Sequence, residues 1–220
     1  MNTLYAARGS GNSFKPFLAM KQLGIPFRLV YVDVLVGETK KPEFLSINPA
    51  GTVPYMVLSG GMRLGESNAL VTYLTEGTRL EPKTRYDRAQ ALQWMFFEQG
   101  SLEPFISPAR FFISIVPERR SERAKDIEVW QARARNGLRI FNGHMATRDF
   151  VLGAAYTSAD IAVFGYTHAA GGAEIDLHEF PAIERWVDRV TATPKFVPLS
   201  EMNNHASVAL ADDGIQAYAS

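Results

Sequence analysis

Three short stretches carry the residues able to do chemistry. Ser10, Asn12 and Ser13 crowd a turn that follows an apolar run, Thr3 to Ala7. Val53-Pro54 stands where a strand should begin, and Glu66-Ser67 opens the amphipathic run Ala69 to Leu74. Proline has no N–H for a sheet ladder, so Pro54 belongs at a strand's first position or at its edge. The Val53–Pro54 bond is also of the one type with ready access to the cis form. A cis bond there would turn the backbone N–H and C=O of Val53 toward an extended peptide laid alongside. Ser67 at a helix start offers a hydroxyl, backbone N–H groups and the positive end of the helix dipole to a carboxylate. A peptide anchor beside an anion anchor points to a small acidic peptide ligand.

Composition narrows the chemistry. The chain has 220 residues, 46% hydrophobic and 21% charged, with net charge zero. That is ordinary globular composition, and the balance gives no reason to expect nucleic acid or an anionic membrane as partner. There is no cysteine. Disulfides, thiolate metal sites and a protein thiol nucleophile are excluded, so any sulfur chemistry must use a sulfur brought by a ligand. His144, His168, His178 and His205 show no metal-ligand spacing, and no metal is expected. The N-terminus lacks the basic and apolar regions of a signal peptide, and no apolar run approaches membrane-spanning length. A soluble, cytoplasmic protein is expected.

The elements that must position these residues follow from the hydrophobic pattern. Thr3 to Ala7 reads as a buried strand. Ser13 is the expected N-cap of a helix with Pro16 in its first turn, Phe17, Leu18, Met20 and Leu23 on one face, and Gly24 at its end. Phe27 to Asp33 is a second strand, completing a βαβ unit. A short helix near Pro42 to Ser46 follows. Tyr55 to Ser59 and Met62 to Leu64 form a hairpin about Gly60-Gly61, and Ser67 to Thr75 is the closing helix. Gly and Pro between Glu76 and Lys83 mark a domain boundary. The expected organisation is an α/β domain over 1–77, an all-α domain over 84–200 and a polar C-terminal tail over 201–220. In the all-α part, one long helix spans Arg85 to Glu103. Pro104 and Pro108 kink or stop it, and Ala109 to Ile113 continues. A second long helix covers Arg119 to Met145, and Phe180 to Val190 is the last clear one. Thr157 and Asp160 form a capping box and have a structural role.

The motif Asn48-Pro-Ala-Gly-Thr-Val-Pro-Tyr55, followed ten residues later by Gly65-Glu-Ser-Asn-Ala69, resembles the glutathione-binding half of the cytosolic glutathione transferases. Phe150 to Ala162 matches a second signature of that family, and the resemblance covers roughly residues 1–198. It is similar to the bacterial members, nearest the Ser-using theta-like or the Asn-using nu-like classes. It implies an N-terminal thioredoxin-like domain, a helical C-terminal domain, glutathione as co-substrate without a metal, a small hydrophobic second substrate and a homodimer. Laid against the Ser-using classes, Ser10 is the residue that would activate the thiol; against the Asn-using group it is Asn12. Ser13 and Tyr5 stay open. The resemblance gives Val53, Pro54, Glu66 and Ser67 to the peptide, and Lys40 and Lys41 to its glycine carboxylate. Phe105, Arg110, Phe111 and Phe112 would line a substrate pocket, with helix–helix packing as their alternative role. Glu98 and Gln99 would reach the partner's glutathione amine. Addition of the thiolate to an apolar electrophile is the implied activity. Glutathione-dependent disulfide reduction or isomerisation, and a non-catalytic ligand-binding or interaction role, are the alternatives.

Overall fold

The structure, a computed structural model, describes residues 1–210. It divides into two compact units, Met1–Leu74 with the segment from Val197, and Thr75–Phe196. In the first, β1 (Asn2–Ala6), α1 (Gly11–Leu23) and β2 (Phe27–Tyr31) form the expected βαβ unit, with β1 and β2 parallel. A short helix α2 (Pro42–Ile47) precedes the hairpin of β3 (Tyr55–Val57) and β4 (Arg63–Gly65), and α3 (Ser67–Thr75) follows. β3 runs antiparallel to β1 and pairs it from Thr3↔Val57 to Tyr5↔Tyr55. Tyr5, Val30, Val32, Phe44, Ile47 and Val57 make a buried cluster against the sheet.

The second unit is helical: α4 (Arg85–Ser101), α5 (Glu103–Arg110), α6 (Ala124–Met145), α7 (Ser158–Thr167) and α8 (Pro181–Thr191). α7 is buried along its whole length, which fits its apolar sequence on all faces. Asp160 closes its N-terminal cap by accepting from the Thr157 N–H at 2.9 Å. This is the capping box read from the sequence, while Tyr156 packs edge-on against Phe150.

Several boundaries differ from the sequence reading. The N-cap of α1 is Ser10, not Ser13, because the Ser10 Oγ accepts from the Ser13 N–H at 3.1 Å, three residues on. Pro16 therefore sits in the second turn. The long helix ends at Ser101, and Pro104 falls in the first turn of α5, where its missing N–H costs little. Residues 111–115 wind as a π-helix and 117–123 as a 3-10 turn, so α6 begins at Ala124.

The chain does not finish with the helical unit. It returns to the first as α9 (Leu199–Asn204) and β5 (Val208–Ala209). β5 pairs in parallel with β2, giving the sheet order β4-β3-β1-β2-β5. Part of the expected tail is thus an edge strand; residues 211–220 lie outside the described residues. Among the described residues no helix is long and apolar enough to cross a membrane.

Candidate functional site

The turn from β1 into α1 is closed by two serine hydroxyls that cross. Ser10 Oγ caps the helix, and Ser13 Oγ accepts from the Ala7 N–H at 3.2 Å. Gly9 carries a φ of 70°, a left-handed conformation that suits glycine. A hydroxyl has one hydrogen and two lone pairs, so accepting the cap bond leaves Ser10 its O–H to donate. Ser10 is half-buried. Tyr5 is fully buried within β1 against Phe44, and burial pushes its phenol up to about 12.

The start of α3 gathers a second group. Glu66 holds a left-handed backbone, φ 62°, unusual for a residue with a side chain. Ser67 follows it, buried at 5% exposure. Its hydroxyl donates to Asn12 Oδ1 at 3.1 Å. Lys15 Nζ lies 3.4 Å from that hydroxyl and 3.3 Å from Asn68 Oδ1, with Lys15 fully buried. The structure thus brings Asn12 and Ser67 together and adds Lys15, which sequence reasoning missed. The signal was a lysine one turn from Asn12 inside the apolar run Phe14 to Leu18. A lysine amine buried this deeply needs polar groups to meet it.

The loop before β3 is tied down by its own polar groups. Asn48 is buried; its Nδ2 donates to the Thr52 carbonyl at 2.8 Å, and its Oδ1 accepts from the Ala50 N–H at 3.1 Å. Lys40 Nζ donates to the Gly51 carbonyl at 2.8 Å. Gly51 has φ 60°, and a Cβ there would stand 2.7 Å from the Thr39 carbonyl, so only glycine fits. The Val53–Pro54 bond is cis. Lys41 is exposed, 4.0 Å from Glu38. Lys40 therefore reaches this loop, and Lys41 points to its own turn.

The residues proposed for the second substrate lie in the helical unit. Phe105, Arg110 and Phe111 are all partly buried. Arg133 stands 5.5 Å over the Phe105 ring, and Phe111 meets Phe112 edge-on at 5.2 Å. Phe112 stacks on Trp130 and is flanked by Arg119 and Arg123. Burial pushes the Arg110 guanidinium down, with Tyr166 beside it pulling the other way. Its stem crosses Gly172, where a Cβ would come within 3.0 Å. Glu98 is fully buried in α4, with the Gln99 amide on its Oε2 at 2.8 Å.

Two further ionisable groups are buried in this unit. Burial pushes the Asp160 carboxyl up to about 6, against the pull of donors from Trp186, Val151 and Thr157. His168 is driven down to about 4 by burial, with Nδ1 2.6 Å from the Phe164 carbonyl and Arg110 nearby.

Comparison with known proteins matches residues 4–82 to the glutathione S-transferase N-terminal domain and 104–189 to the C-terminal domain. The Escherichia coli disulfide-bond oxidoreductase YfcG is 31% identical over 83% of this chain and 87% of its own. A possible glutathione S-transferase from Rhodopseudomonas palustris superposes with TM-score 0.87 at 44% identity, covering 90% of both chains. A glutathione transferase from Burkholderia graminis, solved with two glutathione molecules bound per subunit, superposes with TM-score 0.79 at 25% identity, over 93% of this chain and 89% of that one.

Proposed function

This chain belongs to the glutathione S-transferase family, and from that premise we propose that it binds glutathione and adds its thiolate to a small hydrophobic electrophile. One observation carries the reading. The start of α3 presents a left-handed Glu66, a buried Ser67 and a buried Lys15 at one place, linked through Asn12 to the α1 turn. A helix N-terminus with a buried lysine behind it favours a carboxylate. The amino-terminal end of glutathione carries one. The Val53 backbone, at the cis bond beside β3, would pair with the peptide, and the turn at Ser10 would meet the thiol.

A free thiol, with pKa near 8.5, is only a few per cent thiolate at neutral pH. A hydroxyl donated to the sulfur stabilises the anion, and each unit of lowering is worth about 1.4 kcal/mol. Ser10 supplies this as a donor, not as a nucleophile. The thiolate sulfur then forms the bond to carbon while the leaving group departs with its electron pair, or the electrons of an activated double bond pass to its electron-withdrawing end. Phe105, Arg110 and Phe111 would line the electrophile's side.

A second reading is favoured by the Asn12–Ser67 bond and by the oxidoreductase relative. Here Asn12 orients the thiolate, which attacks a disulfide sulfur of the substrate and expels the other as thiolate. A second glutathione then attacks the mixed disulfide, leaving oxidised glutathione and the reduced substrate. Both sulfurs of the oxidised glutathione come from glutathione, because the chain has no cysteine thiol to offer.

Titrating glutathione against wild type, Ser10→Ala and Asn12→Ala, while following the thiolate absorption band across neutral pH, separates the readings. A band lost only in Ser10→Ala supports the transferase, and one lost only in Asn12→Ala supports the reductase. Glutathione that fails to bind at millimolar concentration leaves a non-catalytic ligand or interaction role. The chain is also proposed to dimerise through α4, where Leu92 and Phe96 stand exposed one turn apart. Sedimentation of wild type against Phe96→Glu tests this.

A further inference from the structure

The turn that offers Ser10 is held from the far end of the chain. The Gly9 N–H donates to Asn203 Oδ1 at 2.8 Å, across 194 positions of sequence. The Arg8 guanidinium donates to the Asn203 carbonyl, and the Tyr31 hydroxyl donates to the Met202 carbonyl. Arg8 also lies 4.0 Å over the Tyr31 ring. Two consecutive residues of α9 thus take three bonds from the turn and from the end of β2. Resting on the reading above, we propose that Asn203 is a positioning residue for the thiol-activating turn, fixing Gly9 and through it the orientation of the Ser10 hydroxyl.

The anchoring of α9 makes this contact definite rather than incidental. Met202 is fully buried. Glu201 pairs with Lys21 of α1 at 2.9 Å. The His205 ring stacks on Phe27 at 5.6 Å and meets Phe17 edge-on at 5.3 Å. β5 then joins the sheet beside β2, with Val30 opposite Val208. The segment is therefore fixed on both sides of Asn203, whose Oδ1 meets the Gly9 N–H.

The chemistry needs this because the turn is glycine-rich. Arg8-Gly-Ser-Gly has a left-handed residue directly before Ser10, and glycine samples many alternatives to that conformation. A cap bond fixes Ser10 to α1, and the chain reaches Ser10 from β1 through the left-handed Gly9. Stabilising a thiolate requires the donor hydrogen to be aimed at the sulfur before reaction. A displacement of about 1 Å costs on the order of a hundred-fold in rate. The turn carries its own bonds, from the Ser10 N–H to the Ala7 carbonyl at 3.3 Å and from the Ala7 N–H to Ser13 Oγ at 3.2 Å, and Asn203 adds a restraint on Gly9 from α9.

The test compares wild type, Asn203→Ala and Asn203→Asp, the last keeping an oxygen acceptor for Gly9. The thiolate band of saturating glutathione is followed against pH, glutathione affinity is measured by calorimetry, and exchange of the Gly9 amide is followed by NMR. In Asn203→Ala the apparent pKa of the bound thiol should rise by about one unit, a ten-fold loss of thiolate at low fractional ionisation. Gly9 exchange should quicken, glutathione affinity should stay within about three-fold because the α3 anchor is untouched, and Asn203→Asp should recover most of the thiolate. A folded Asn203→Ala with an unmoved thiol overturns the proposal, as does an equal loss of affinity in both variants. If Asn203→Ala fails to fold, Tyr31→Phe takes its place, with a smaller shift expected in the same direction and no shift overturning the proposal. A wild-type protein with no thiolate band overturns the glutathione reading and this inference together; a wild-type band that neither variant moves overturns this inference alone.

Discussion

Asp160 in the helical unit and Lys15 in the first unit are both fully buried ionisable side chains, and they are buried to different ends. Both Asp160 oxygens are occupied by donors on three sides: Trp186 Nε1 at 2.9 Å and the Val151 N–H at 2.8 Å on one, the Thr157 N–H at 2.9 Å on the other. The carboxyl joins the start of α7 to α8 and to the preceding loop. Lys15 Nζ instead faces the Ser67 hydroxyl at 3.4 Å and Asn68 Oδ1 at 3.3 Å, both at the start of α3, where the proposed ligand carboxylate would sit. A carboxylate bonded across three segments ties the helical unit together, whereas a lysine at a helix N-terminus stands beside the proposed anion site.

Breaking the first of these should have the largest effect. Asp160→Ala strands the Trp186 and Val151 donors in a dry interior. Losing one partner of a buried charged network typically costs about 3–5 kcal/mol. The thermal midpoint should fall steeply, while protein that still folds should bind glutathione as wild type does. An unchanged midpoint would remove Asp160 from its structural role.

His168 sharpens the same contrast through pH. Its folded pKa of about 4 lies below the ordinary value near 6.5. The unfolded chain therefore binds the proton first, and this group's stability, present above about pH 6.5, is lost as pH falls toward 4. Asp160, at about 6 in the fold, has the opposite sign: its contribution is present below its unfolded pKa near 4 and is lost as pH rises through 6. Across the shared window the two offset each other. His168→Gln removes one side. Relative to wild type it should gain about 2 kcal/mol between pH 7 and pH 4.5, after allowance for the ring's partial exposure. Thermal midpoints of both proteins across that range check it, and parallel curves would refute the assignment.

Lys15→Met should give the reverse of Asp160→Ala. Methionine keeps the buried apolar stem, so stability should fall far less than in Asp160→Ala, by about 1–2 kcal/mol for the lost contacts to Ser67 and Asn68. Glutathione affinity should fall about ten-fold, or 1.4 kcal/mol, and calorimetry measures both arms. A large loss of stability with affinity intact would make Lys15 a second Asp160.

The sequence was most legible where one local rule governs one residue. The βαβ order, the Thr157–Asp160 box and the start of α3 at Ser67 each follow from periodicity or capping over a few residues. Val53, Glu66 and Ser67 are proposed as anchors because their spacing resembles a known motif. What escaped depends on distance. Ser13 looked like the cap, yet the hydroxyl three residues earlier reaches its N–H and frees Ser13 to bind Ala7. Lys15 went unremarked, because its neighbours Ser67 and Asn68 lie more than fifty positions away. Residues 201–209 fell within the expected polar tail of 201–220, because a two-residue parallel strand and a six-residue helix leave too short a pattern to read. Their place is set by β2 and Tyr31.

Lys40 and Lys41 carry the smallest effect and divide the same way within one loop. The resemblance gives both to the glycine carboxylate of glutathione, but Lys40 Nζ reaches the Gly51 carbonyl at 2.8 Å, whereas Lys41 faces Glu38 at 4.0 Å. An ammonium has three donors, so the carbonyl bond leaves Lys40 able to meet a ligand as well. Lys40→Met should therefore lower stability by about 1 kcal/mol, the usual worth of such a bond. It should also weaken glutathione about two- to three-fold, since the loop it braces carries Val53. Lys41→Met should change neither beyond a few tenths of a kcal/mol, as for most exposed pairs. Calorimetric titration and thermal melts of the two variants together decide whether the proposed peptide anchor depends on one lysine or both. Equal losses of affinity would return Lys41 to the carboxylate site.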